Sequence, residues 1–242
     1  MTQHPDAVVV TGGSNGIGRA TVARLLADGC RVFNLDLARP DRLLPGEVWL
    51  QADVADATQL TTALAEATSH GPITRLVNNA GIVRPAGIDA VKREDLHAVV
   101  AVNLAGAIAC VQALLPGMRS ARFGRIVNIS SRAALGKGER IAYAATKAGL
   151  HGLTRTLALE LAHDGITVNA IGPGPIATDL FTRVNPADAA ATRKIVAAIP
   201  LGRLGEPAEV AHMVACLLDA RAGFTTGQVI YVCGGMTVGL AQ

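Results

Sequence analysis

Tyr143 and Lys147 are the residues of this chain whose types and spacing most clearly suggest chemistry. Four residues apart in an apolar, alanine-rich run, they fall on one face of a helix, about one turn apart. A free phenol titrates near pH ~10, and a neighbouring ammonium favours its ionised form. Such a tyrosine can trade a proton with a substrate hydroxyl near neutrality. The same spacing also occurs on ordinary helix surfaces, so its meaning depends on the elements that position it.

The first of these is Ala7-Val8-Val9-Val10, a β-branched run leading directly into Thr11-Gly12-Gly13-Ser14-Asn15-Gly16-Ile17-Gly18. Apolar residues from Ile17 to Asp28 then recur at helical spacing, which predicts strand, tight turn and helix. Gly12, Gly16 and Gly18 permit close backbone approach, so a diphosphate can sit against the N–H groups that open the helix. Ser14, Asn15 and Ile17 belong to the same turn. Residues 31–36 read as a second strand ending in Asp36, 18 residues after Gly18. A carboxylate there is placed to accept hydrogen bonds from ribose hydroxyls and to repel a 2′-phosphate, which favours NAD over NADP. Arg39 and Arg42 lie close enough in sequence to soften that preference. Further strands are expected at 48–52, 73–77, 124–129, 166–171 and 227–232. Helices are expected from about 57 to 69 behind an Asp56 cap, from 142 to 162, and after Glu206-Pro207.

Taken in order, the glycine turn, Asn78-Asn79-Ala80-Gly81, Asn103, Ile129-Ser130-Ser131, the Tyr143/Lys147 pair and Pro173-Gly174-Pro175-Ile176-Ala177-Thr178 resemble the short-chain dehydrogenases/reductases. The resemblance runs from about residue 6 to about 238. It implies a single α/β Rossmann-type domain over residues 1–242, a doubly wound parallel sheet of about seven strands with helices on both faces. The cofactor half would span about 6–130, the catalytic helix and substrate lid about 131–205, and a last helix and strand 206–242. It further implies that Tyr143 is the general acid/base, that Lys147 lowers its pKa and binds the nicotinamide ribose, and that Asn103 kinks its helix and supports a proton relay through a held water. The cofactor contacts it implies, beyond the glycine turn and Asp36, are Asp53 and Val54 at the adenine, Asn79, Ala80 and Gly81, Tyr143 and Lys147, and Pro173, Ile176 and Thr178 toward the nicotinamide. The catalytic serine is ambiguous. Ser130 stands 13 residues before Tyr143, the commoner spacing, and Ser131 stands 12 before it. Aligning residues 125–129 on the preceding strand favours Ser131, as the second of two small residues. Position 15 is Asn where many NADP-preferring relatives are basic, and Cys233 stands where an aspartate is usual, a departure expected to alter packing or subunit contacts. The resemblance also implies a homotetramer, or a homodimer, in which the apolar helices around residues 98–118 and 142–162 pack against their copies in a partner subunit.

Composition narrows the alternatives. The chain has 242 residues, 50% hydrophobic but only 3% aromatic, so its core must come from aliphatic side chains suited to buried parallel strands. The net charge of +3 is dispersed without a basic run, which argues against a nucleic-acid partner. The four cysteines, Cys30, Cys110, Cys216 and Cys233, are scattered and read as reduced and mostly buried in a cytoplasmic protein. No histidine or cysteine spacing suggests a metal. The N-terminal residues lack the basic-then-apolar pattern of a secretory signal. The uncharged stretch 98–118 contains Asn103, Gln112, two glycines and a proline, and reads as a buried helix rather than a membrane span.

The small-molecule substrate is less legible. Arg132, Lys137 and Arg140 flank the catalytic loop and Arg183, Arg193 and Lys194 punctuate the lid. They are either solvated loop charges or partners for a carboxylate, sulfonate or phosphate. Three functional readings follow: an NAD-dependent dehydrogenase of a secondary alcohol, sugar or hydroxy acid; a 3-oxoacyl thioester reductase; and a non-catalytic NAD-sensing protein.

Overall fold

Parallel strands need both faces covered, and the valine-rich runs of this chain are built for that. In the computed structural model, which describes residues 6–184 and 189–238, β1 is Ala7–Thr11, β2 Arg31–Asp36, β3 Glu47–Gln51, β4 Arg75–Asn78, β5 Gly124–Ile129, β6 Ile166–Pro173 and β7 Val229–Val232. They form one parallel sheet in the order β3-β2-β1-β4-β5-β6-β7. Alternate residues of β1 face opposite layers. Val9, with Phe33, Leu76, Ile126 and Val168, packs against Leu60 and Leu64 of α2 (Ala57–Ser69), Leu114 and Met118 of α4 (Gly106–Ala121) and Leu161 of α5 (Ile141–Leu161). Val8 and Val10, with Val32, Val77 and Ile171, pack against Val22 and Leu25 of α1 (Gly16–Ala27) and Val210, Val214 and Leu218 of α8 (Pro207–Leu218). That division is the doubly wound architecture expected.

Several ends differ from the sequence reading, each for a local reason. β3 begins one residue early because Glu47 is buried and takes part in the ladder opposite Val32. Ile73 is buried, yet β4 starts at Arg75, where pairing with Val8 and Arg125 begins. β6 continues through Gly172 and Pro173 because β7 supplies Tyr231 and Val232 as partners. Asp56 caps α2 as expected, accepting from the Thr58 and Gln59 amides. Glu206 caps α8 in a capping box with Glu209.

The apolar stretch is one continuous helical run of 29 residues, Arg93–Ala121, long and apolar enough by length and composition to cross a membrane. It consists of α3 (Arg93–Val100), a π-helical turn over Ala101–Ala105, and α4. Here its Cys110, Val111, Leu114 and Met118 lie in the core against the sheet. Two short helices, α6 (Asp179–Val184) and α7 (Ala190–Ala197), follow β6. Residues 185–188 and the Arg183 side chain, both part of the expected lid, lie outside the described residues, as do residues 1–5. Of the cysteines, Cys110 and Cys233 are buried, Cys30 is half-buried and Cys216 is exposed, so burial is less general than the composition suggests.

Candidate active site

The strand order reverses direction between β1 and β4, and this switch point opens the crevice in which α/β sheets bind nucleotides. The glycine turn lies there. Gly12 and Gly16 have φ of +67° and +54°, a region side chains disfavour. A Cβ on Gly18 would lie 2.0 Å from the Gly12 carbonyl oxygen, so only glycine lets α1 start this close to β1. No side chain caps α1: Asn15 is at the cap position, exposed, without a side-chain hydrogen bond to the helix. Its first N–H groups therefore suit an anion such as a diphosphate. Asn79 braces the turn from β4, donating to the carbonyls of Thr11 (3.0 Å) and Gly12 (2.8 Å). Thr11 Oγ1 in turn accepts from the Asn79 and Ala80 amides at 3.0 Å.

Asp36 stands at the end of β2, half-buried, its carboxylate accepting from the Ser14 amide at 2.9 Å and the Ala38 amide at 3.0 Å. These bonds fix its charge beside the glycine turn, as a ribose-binding acid requires. The Ser14 hydroxyl donates to the Ala38 carbonyl at 2.6 Å, so it shapes the turn more than it faces the crevice. Beneath them Glu47, with a side chain wholly buried, accepts from Arg19 at 2.7 Å, Asn34 at 2.9 Å and the Leu44 amide at 3.0 Å. Asp53 holds the next turn through the Ala55 amide, and Val54 packs against Gly106. On the far side, Pro173 ends β6 and the methyl of Thr178 reaches Gly16, 3.2 Å from where its Cβ would be. Ile176 is 5% exposed and belongs to the core, so it can contribute to a cofactor site only through its backbone.

The catalytic candidates converge at the ends of β4 and β5 and the start of α5. A Cβ on Gly81 would sit 3.3 Å from both Asn103 Oδ1 and Lys147 Nζ, which places these two on either side of the strand end. Asn103 accepts from the Ile82 amide (2.8 Å) and donates to the Ile82 carbonyl (3.0 Å) and Thr146 Oγ1 (3.2 Å). Its amide is thus fully engaged in holding the segment after β4, and it lies within the π-helical turn Ala101–Ala105. Ser131 begins the 3₁₀ turn Arg132–Leu135, where its hydroxyl accepts from the Ala133 amide at 3.1 Å, and it lies close enough to the Tyr143 phenol to pull it down. Ser130 points the other way. It is buried, donating to the Lys147 carbonyl and meeting His151 Nε2, both at 2.8 Å. Geometry thereby separates the two serines that spacing left ambiguous.

Burial dominates the electrostatics of Tyr143 and Lys147. Burial pushes the Tyr143 phenol up, while the Ser131 hydroxyl and the Arg140 charge pull it down, and the net direction is upward. Lys147 Nζ donates to the Ile129 carbonyl at 2.6 Å and lies 5.6 Å from the Tyr143 ring centre. Burial brings Lys147 itself down to about 8.

Four groups that position the site were not anticipated. Thr146 links Asn103 to the Tyr143 carbonyl. Thr11 ties β1 to β4, and the Ser130–His151 contact ties β5 to α5. The fourth is the Arg19–Glu47–Asn34 network below the glycine turn. Only Thr146 carried a signal, its place three residues after Tyr143 on the same helical face.

A parallel sheet with a nucleotide crevice at its switch point, and a serine–tyrosine pair at the strand ends beside it, defines an oxidoreductase working with a nicotinamide cofactor. Comparison with known proteins agrees. A family described as enoyl-(acyl carrier protein) reductase matches residues 12–237. Acetoacetyl-CoA reductase of Shinella zoogloeoides is 40% identical over 234 residues, 94% of this chain and 96% of its own. A 3-oxoacyl-(acyl-carrier-protein) reductase of Thermotoga maritima is 39% identical over 241 residues, 95% of this chain and 97% of its own. The crystal structure of levodione reductase superposes with a TM-score of 0.90 at 31% identity, covering 97% of this chain and 98% of that one. The chain belongs to the short-chain dehydrogenase/reductase family.

Proposed function

We propose that this protein interconverts a secondary alcohol and a ketone with NAD(H), Tyr143 serving as general acid/base. The observation that carries the reading is the placement of Ser131 close to the Tyr143 phenol, one helical turn from Lys147 at the strand ends next to the glycine turn. A bound nicotinamide would supply the hydride chemistry. The glycine turn and α1 N-terminus would hold its diphosphate, Asp36 the adenosine ribose, and Lys147 the nicotinamide ribose. Ser131 hydrogen-bonds the reacting oxygen as charge develops there, and Tyr143 gives it a proton during reduction or takes one during oxidation. Asp36 supports NAD over NADP.

Within this reaction class, a 3-oxoacyl thioester is a second substrate candidate, favoured by the acyl-thioester relatives named above. The protein works in the cytoplasm as a homotetramer, without nucleic acid or membrane as partner. The outward face of α5, with Ala145, Ala148 and Gly152 leading to Leu159 at 80% exposure, supports the subunit contact. The test is turnover of a panel of neutral and anionic secondary alcohols, and of the corresponding ketones and 3-oxoacyl thioesters, with NAD(H) and NADP(H). Reduced-nicotinamide absorbance is the readout. NAD-dependent turnover that falls about 10²- to 10⁴-fold in Tyr143→Phe is expected, and retention of more than roughly a twentieth of the rate would refute the assignment.

A further inference from the structure

The loop joining Ser131 to Tyr143 carries three cations and is tied to the site at both ends. Arg132 directly follows Ser131 and opens the 3₁₀ turn, while Arg140 is the cap residue of α5, three before Tyr143. The loop is anchored where Ala86 and Arg140 bridge, with the Ala86 amide donating to the Glu139 carbonyl at 3.1 Å. That bridge holds it beside the segment Asn103 positions. Arg132 and Arg140 are both close enough to Lys137 that their charges, after burial, depress its ammonium, and the Arg140 charge also reaches the Tyr143 phenol. The cations therefore share one electrostatic neighbourhood with the reacting group.

Unlike Arg19, Arg24, Arg75, Arg119, Arg203 and Arg221, these three make no ion pair with a carboxylate among the described residues. The guanidinium of Arg140 donates to its neighbour's carbonyl, that of Glu139. Three cations against the single acid Glu139, on the loop between Ser131 and Tyr143 that leads into the N-terminus of a 21-residue helix, form a net positive field that an anion would relieve. We infer that this loop is a specificity element binding an anionic group of the substrate close to the reacting carbinol. The inference rests on the proposed dehydrogenase reading and names its substrate class. The anion is either the substrate's own carboxylate or the phosphates of an acyl carrier.

The test compares matched substrates: 3-hydroxybutyrate with its methyl ester, and 3-hydroxybutyryl-CoA with the uncharged N-acetylcysteamine thioester. The wild type should prefer the anionic member of at least one pair by about 10-fold in kcat/KM, the size of one charge-assisted hydrogen bond. Preference within the first pair assigns the anion to the substrate's carboxylate, and within the second to the carrier. Arg132→Gln and Lys137→Gln should each reduce that preference through KM, and together bring it near unity. Arg221→Gln, a remote exposed cation, should leave it in place. Calorimetric titration of the same ligands with NAD present reads the preference without turnover. Equal affinities within both pairs in the wild type, or equal losses for charged and neutral members in the variants, would overturn the inference. Failure of the underlying reading looks different: oxidation would survive in Tyr143→Phe.

Discussion

Ser131→Ala and Ser130→Ala are adjacent substitutions of one type, and the structure requires them to fail in opposite ways. Ser131 lies close to the Tyr143 phenol, and in the proposed reaction it hydrogen-bonds the reacting oxygen. Removing such a donor costs about 3–4 kcal/mol in the transition state, so kcat should fall about 10²- to 10³-fold. Its Ala133 contact is a cap on a short turn, worth ~1 kcal/mol, so thermal stability should change little. Because the nearby Ser131 hydroxyl pulls Tyr143 down, its loss leaves the phenol protonated to higher pH, and the alkaline limb of ketone reduction should move up. Ser130 is 3% exposed and its hydroxyl donates to the Lys147 carbonyl, so the oxygen must accept from His151 Nε2–H. The carbonyl keeps its helical partner, but the imidazole donor would be left unsatisfied, at about 1–2 kcal/mol. For a chain of this length that is a fall of roughly 3–8 °C in Tm, with kcat near wild type. Steady-state kinetics and scanning calorimetry on both variants decide the matter. A 10²-fold loss of kcat in Ser130→Ala at unchanged Tm, with Ser131→Ala active, would refute the assignment.

Two further expectations concern stability. Lys147 lies near 8 when folded, against 10.5 for an ordinary lysine. Between these values the unfolded chain binds a proton that the folded chain does not, so stability should rise with pH across this window and be insensitive to this group below pH 8. The full span corresponds to roughly 3 kcal/mol. Lys147→Met should be the more stable protein at pH 8 and lose that advantage by pH 10, as urea unfolding at the two pH values without added cofactor can show; a constant difference would count against a buried ammonium. Glu47→Gln keeps the shape of a buried acceptor but removes the charge facing Arg19, which is about a quarter exposed. A cost of about 2 kcal/mol should lower Tm by roughly 4–8 °C, and an unchanged melting curve would mean that Asn34 and Leu44 suffice to hold the network.

Much of the fold follows from pattern. The run Val8-Val9-Val10 of β1 is apolar without alternation because both faces of a parallel strand are covered, and that is readable one residue at a time. The glycine turn was legible for a steric reason. No other side chain tolerates a backbone carbonyl 2.0 Å from its Cβ, so Gly18 declares its neighbour before the neighbour is seen. The Asp56 cap, the Glu206-Pro207 helix start and the Tyr143/Lys147 pair were equally local.

What the sequence determined by itself, then, is which segments form elements and which residue types end up where the strands end, since propensity, capping and period act over a few residues. What only the tertiary structure decided are relations between segments far apart in the chain. Ser131 rather than Ser130 meets Tyr143 because β5 is packed on α5 with Ser130 turned toward His151. Lys147 is drawn to the Ile129 carbonyl, because burial makes an unpartnered ammonium costly and a strand-end carbonyl is within reach. Glu47 is a loop-edge acid by sequence and a buried ion-pair partner in the fold, because Arg19 and Asn34 arrive from two other elements. Desolvation and pairing depend on distances through space, and no spacing along the chain contains them.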